Sequence, residues 1–306
     1  MQNKLKRWII VFFALILVMS MSACSSNSNG DNNTPTNGNN DNNNDDNDND
    51  STSLLLSDLN IGDIVYDSSW EWEFKQGDNY TTFWDDEPTL PVRWIVVAKD
   101  HYDANTVTLV SEHLIGFYIF DNSILESGLL AGRNHWGNSG LNNGAGLRPW
   151  LNSTGEYSGE GFYNAFSSQF KNIVVSTTIE NIDGDTKVPY TTTDNVFIAS
   201  HTEMGGTLDD FSQETFELGK AFPYFVDADY TKLEAGFPRR FTYDYWSRSP
   251  YARGYRVVGM ITTSGLYVDW FADASNIGVR PVVNVTSSIL VSKDADEENV
   301  YEIIYE

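Results

Sequence analysis

The chain opens with an unbroken apolar run. Residues 9–21, "IIVFFALILVMSM", are apolar apart from one serine, and residues 1–8 place Lys4, Lys6 and Arg7 before them with no acid. A basic start, a short apolar core and small residues at its end predict an export signal over residues 1–23. The run is shorter than the roughly 20 residues of a bilayer-spanning helix. Residues 25–50 then hold no aliphatic or aromatic side chain, twelve of them being Asn and six Asp. Such a segment cannot offset its ordering entropy, so residues 24–53 are expected to form a disordered tether reaching on the order of 30 Å.

From residue 54 to 306 short apolar runs punctuated by glycine predict one strand-rich domain. "IGDIVY" (61–66) and "WEWEF" (70–74) read as short strands, and "PVRWIVVAK" (91–99) with "NTVTLVSE" (105–112) as a hairpin. In "GLRPWLN" (146–152), Leu147, Trp150 and Leu151 stand at helical spacing. Phe162, Phe166 and Phe170 repeat every four residues and predict a second amphipathic helix over residues 161–172. "NVFIAS" (195–200) is a buried-strand candidate, and residues 201–240 read mostly as loop with a short helix. In "YRVVGMITTSGLYVDWFAD" (255–273) a two-residue Ser264-Gly265 turn predicts a tight hairpin. That register sets Val257, Gly259, Ile261 and Thr263 against Ala272, Trp270, Val268 and Leu266, so that Gly259 makes room for the Trp270 indole. "GVRPVVNV" (278–285) reads as a strand buried on both faces.

Composition changes this picture in two ways. The chain has one cysteine and a net charge of −24. Setting aside the three basic residues of the leader and the six aspartates of the tether leaves about −21 on the folded body, which argues against nucleic acid and anionic lipid surfaces. The lone cysteine stands in "MSAC" (21–24), which resembles the lipobox of bacterial lipoproteins. The resemblance implies a diacylglyceryl group on Cys24, cleavage just before it, and a protein lipid-anchored to the cell membrane and facing outside. Met21 replaces the usual leucine.

Candidate chemistry is sparse. His101, His113, His135 and His201 are scattered without ligand spacing, and no metal set is assigned. "GNSGL" (137–141) is not a nucleophile elbow, because its second glycine comes one position early. The aspartate-rich "DNNNDDNDND" lacks the glycine and glutamate of an EF-hand; calcium is possible but has no recognised motif, and no other cofactor is expected. No catalytic residue is assigned. Arg148, Arg248 and Arg280 each sit inside an apolar motif. They are expected either to clamp an anion or to pair with acids and loop carbonyls at the core edge. Trp136, Trp150 and Trp246 are expected as core anchors. The segment "SPYARGY" (249–255) alternates Tyr251, Arg253 and Tyr255, which predicts an exposed loop presenting two rings and a guanidinium to a ligand.

The order "IGDIVY", "VRWIVV", "HWGNSG", "LRPWLN", "FYNAFSSQFKNIVVSTT", "DNVFIAS", "YWSRSPY" and "GVRPVVNV" resembles family 6273 of the domain-of-unknown-function series, found mostly in secreted and lipid-anchored bacterial proteins. The similarity covers most of residues 60–287. The serine in "WSRSP" stands where the family more often has leucine, and "SSWEWEFKQGDNYTTFWDDEPTL" is an insertion. The ending "YWSRS…VG…SG…GVRPVV" is also similar in order to C-type-lectin-like folds, which include formylglycine-generating enzymes. That similarity implies an α+β class, a C-type-lectin-like domain with a twisted antiparallel sheet, two short helices and long irregular loops. The enzyme's chemistry does not transfer, because it uses cysteines and this body has none. The reading is of a domain that binds an extracellular glycan, peptide or surface protein. A cell-wall or carbohydrate-acting enzyme, or a non-binding structural protein, stands as the alternative.

Overall fold

In a computed structural model of the protein, the described residues are 53–73, 75–76, 89–121, 134–138, 146–184, 186–206, 217–228, 244–251, 256–262, 267–297 and 299–305. The expected export signal, Cys24, residues 25–52 of the expected tether and the expected Ser264-Gly265 turn lie outside them, while Ser53 falls in the first strand. The strands in chain order are β1 (Ser53–Leu55), β2 (Ile64–Tyr66), β3 (Lys75–Gln76), β4 (Arg93–Lys99), β5 (Thr106–Ser111), β6 (Gly116–Phe117), β7 (Thr177–Ile182) and β8 (Pro189–Asp194). They continue with β9 (Phe197–Ile198), β10 (Tyr245–Pro250), β11 (Val257–Ile261), β12 (Tyr267–Phe271), β13 (Gly278–Val279), β14 (Pro281–Thr286), β15 (Leu290–Ser292) and β16 (Val300–Ile304). The helices are α1 (Leu147–Leu151), α2 (Phe162–Ala165) and α3 (Ser168–Ile173).

Strand pairing dominates. One eight-stranded sheet runs β1-β15-β16-β2-β4-β5-β14-β9, a six-stranded sheet runs β12-β11-β10-β13-β6-β3, and β7 and β8 form a separate ribbon. Both large sheets are mixed. β16 runs parallel to β2, and β10 to β13 and β3 to β6 are parallel as well. This overturns the expected α+β, C-type-lectin-like architecture. The fold is mostly β, and its helices are too short to form a layer of their own. The amphipathic helix expected over 161–172 is broken at Phe166–Ser167. Ser167 caps α3 instead, its hydroxyl accepting from the Phe170 N–H at 3.0 Å.

The phenylalanine stripe still does its expected work in the core. Phe162, Phe166 and Phe170 pack on Trp70 at ring-centroid distances of 6.0, 4.7 and 5.7 Å. Phe170 also stacks near-parallel on Trp94 at 6.0 Å. Among the described residues of the segment 70–74, expected as a strand, the pairing is a single bridge between Trp72 and Leu90, and both tryptophans turn into this aromatic core. The β4–β5 hairpin forms as its pattern predicts, with Trp94 opposite Ser111 and Val97 bulged out of register. A 3-10 helix over Pro223–Ala228 supplies the short helix expected within residues 201–240.

The run "GVRPVVNV" is buried as expected, but it is two strands. β13 belongs to the six-stranded sheet and β14 to the eight-stranded one. Arg280 sits at the crossover between them. A second crossover carries the chain from β5 to β6, and Arg280 bridges the two. Its Nη1 donates to the Ser111 carbonyl at 2.8 Å and to that of Glu112.

Candidate binding surface

The three motif arginines are struts, Arg248 and Arg280 buried and Arg148 partly exposed. Arg248 and Glu203 are both fully buried and form a bidentate pair, Nη1 to Oε2 and Nη2 to Oε1 at 2.5 Å. The Glu203 carboxylate also accepts from Tyr102 Oη at 2.6 Å and from the Ser200 N–H at 2.9 Å. Arg248 can turn inward because the β10–β11 register shifts between Trp246 and Pro250, and its backbone N–H bonds Ala199 instead. Burial by itself lowers the Arg248 pKa, but the Glu203 charge outweighs it and the guanidinium is held firmly protonated. Burial, then the Glu203 charge, pushes the Tyr102 hydroxyl well above its ordinary range.

Arg148 donates Nε to Asp194 at 2.7 Å, and the same buried carboxylate accepts from Trp136 Nε1 at 3.0 Å and Thr192 Oγ1 at 2.7 Å. Arg280 lies over the Tyr245 ring at 5.0 Å, and burial lowers its pKa. These contacts match the expected alternative of pairing with acids and carbonyls. Trp136, Trp150 and Trp246 are buried, as core anchors should be. Neither Glu203 nor Asp194 was singled out from the sequence. They stand 45 and 46 residues from their arginines, and no local pattern marks so distant a pair.

The β11–β12 hairpin forms, but one residue away from the expected register. Val258 opposes Trp270, and Gly259 opposes Asp269. The slip moves Trp270 off Gly259 and leaves its side chain 46% exposed, so Trp270 is no core anchor. What fills the space above Gly259 is Tyr267, whose Oη would lie 1.7 Å from an added Cβ. Tyr267 is buried, and its ring stacks on His201 at 3.8 Å. That buried stack sets the register against the pull of a two-residue turn. Beside Trp270, Phe271 is 57% exposed, a residue the sequence reading passed over although its neighbour was named.

The predicted contact loop is only partly as expected. Tyr251 is 5% exposed and belongs to the core, so its ring is not presented outward. It is drawn in because its backbone stays in the sheet, its N–H bonding the Val257 carbonyl at 2.9 Å. Asn134 Nδ2 fastens the same base, donating to the Tyr251 carbonyl at 3.2 Å and the Val257 carbonyl at 2.9 Å. Arg253 and Tyr255 lie outside the described residues. At that base Arg256 pairs with Asp273 at 2.9 Å on the surface, next to Phe271. This end of the six-stranded sheet thus gathers two exposed rings, one exposed ion pair and Asp269. Among the described residues no cluster of three or more His, Cys, Asp or Glu is placed to hold a metal.

The family DUF6273, described as a domain of unknown function, matches residues 105–287. The chain belongs to DUF6273. No curated protein and no solved structure matches it. The Arg148, Arg248 and Arg280 struts, Glu203, Asp194 and the β11–β12 hairpin all fall inside the DUF6273 match. β1, β2, β4, β15 and β16 fall outside it, yet they supply five of the eight strands of the larger sheet. In this protein the DUF6273 segment is therefore completed by residues on both sides of it.

Proposed function

We propose that this is an exported protein, anchored to the outer face of the membrane by lipid on Cys24, whose folded body binds an extracellular ligand. The binding surface is the β12 end of the six-stranded sheet. The observation that carries the reading is the pair Trp270 and Phe271, large rings left open to solvent on one edge strand. Exposed aromatics on an otherwise well-packed domain mark contact surfaces, because their burial in a complex is strongly favourable. The buried acids speak against a catalytic role for themselves, since Glu203 and Asp194 are each held by an arginine inside the core. The leader and "MSAC" support the address.

Two measurements test the reading. Replacing Trp270→Ala together with Phe271→Ala is expected to abolish retention on isolated cell-wall and surface-protein fractions, with the melting temperature nearly unchanged. Unchanged retention removes β12 from the function. Cys24→Ser is expected to eliminate labelling by a fatty-acid probe, and label kept by that variant refutes the anchor.

A further inference from the structure

Resting on that reading, we infer that the ligand is an extended peptide carrying a basic side chain, added as a further strand to the free edge of β12. The register decides which backbone groups are free. The Ala272 N–H bonds the Arg256 carbonyl at 2.8 Å, so residues 272, 270 and 268 turn their amides toward β11. Asp269 alternates with them and turns its N–H and carbonyl outward. β12 ends the strand order of its sheet, and among the described residues no strand covers this side. Edge strands are commonly guarded by charged side chains, proline or a bulge; "YVDWF" has no proline, its pairing with β11 is regular, and Asp269 is its single charge, which admits a basic partner.

Side-chain alternation then gives the edge two different faces. Trp270 and Val268 lie on one, Asp269 and Phe271 on the other. The two exposed rings therefore do not make one flat platform for a sugar. They bracket an added strand from both sides. The charge selects the occupant. Asp273 is neutralised by Arg256, whereas Asp269 has no ion pair among the described residues. A second copy of the chain would set Asp269 near its own equivalent and bring together two bodies of about −21. A basic side chain opposite Asp269 meets no such repulsion, while the amide ladder supplies the remaining attraction.

The test uses the full chain in detergent and a random eight-residue peptide library. Recovered peptides are expected to be enriched in lysine or arginine flanked by β-branched or aromatic residues. N-methylation of alternate backbone amides, in one of the two possible phases, should weaken binding at least tenfold although every side chain is kept. Asp269→Lys should turn the selection toward acidic peptides. The inference is overturned if no peptide is recovered, if basic residues are not enriched, or if both methylated phases bind as well as the parent. If wall retention still depends on Trp270 and Phe271 in that event, the binding role of β12 stands and only its peptide ligand falls.

Discussion

Arg248 on β10 and Trp270 on β12 lie two strands apart in one sheet, and both are residues that commonly anchor complexes. Their surroundings differ entirely. Arg248 is sealed against Glu203, Tyr102 and the Ile198 carbonyl, with its donors turned inward. Trp270 has nearly half its side chain in solvent. The difference teaches that residue type nominates a site, whereas burial and pairing decide whether it supports the fold or meets a partner. A guanidinium sealed in the core against a buried carboxylate presents no donor at the surface for a ligand.

The largest expected effect strikes the interior side of this comparison. Glu203→Gln leaves the buried Arg248 charge uncompensated and should cost about 3–5 kcal/mol in denaturant unfolding. Replacing both partners by methionine should cost much less, and equal losses would mean the pair matters through packing rather than charge. Next, Gly259→Ala should cost about 1–3 kcal/mol by forcing Tyr267 from its stack on His201. Gly159→Ala, where an added Cβ meets nothing within 4 Å, is the neutral control.

A smaller effect appears at high pH. Burial, opposed in part by Arg280, raises the Tyr245 hydroxyl to about 12 from an ordinary 10.0. The folded state then holds this proton more tightly than the unfolded state does. Its contribution is fully present below pH 10 and is lost as the pH rises from 10 toward 12, at no more than about 1.4 kcal/mol per unit. Tyr245→Phe should flatten that part of a stability–pH curve, and an unchanged slope would assign the loss to other tyrosines. Smallest of all, Trp270→Ala with Phe271→Ala should shift stability by no more than about 0.5 kcal/mol for each residue. A larger loss would make β12 a packed strand like β10 and erase the contrast.

Several elements were legible from local pattern. The β4–β5 hairpin, α1, the inward phenylalanines and the buried run around Arg280 follow from spacing, because alternation and helical periodicity record which face a residue must bury. The family was legible too, through motifs that now prove to be the arginine struts and their tryptophans. The helix over 161–172 was not, since the Ser167 cap competes with continuation of the phenylalanine stripe. The Gly259–Trp270 pairing failed for a different reason. The turn residues favoured one register by local geometry, but the buried Tyr267 ring favoured the next one. Neither His201 nor Gly206, which crowds that histidine, is near the hairpin in sequence.

By itself the sequence determined the acidic and cysteine-free composition of the body, its strand-rich character and its family membership. These depend on composition and short-range periodicity. Only the tertiary structure decided the mixed two-sheet architecture, the partners of Arg148, Arg248 and Arg280, and the exposure of Trp270 with Phe271. Each of those rests on groups far apart along the chain. Whether a charge is paired or a ring is covered depends on which distant strand arrives beside it, and no local pattern carries that information.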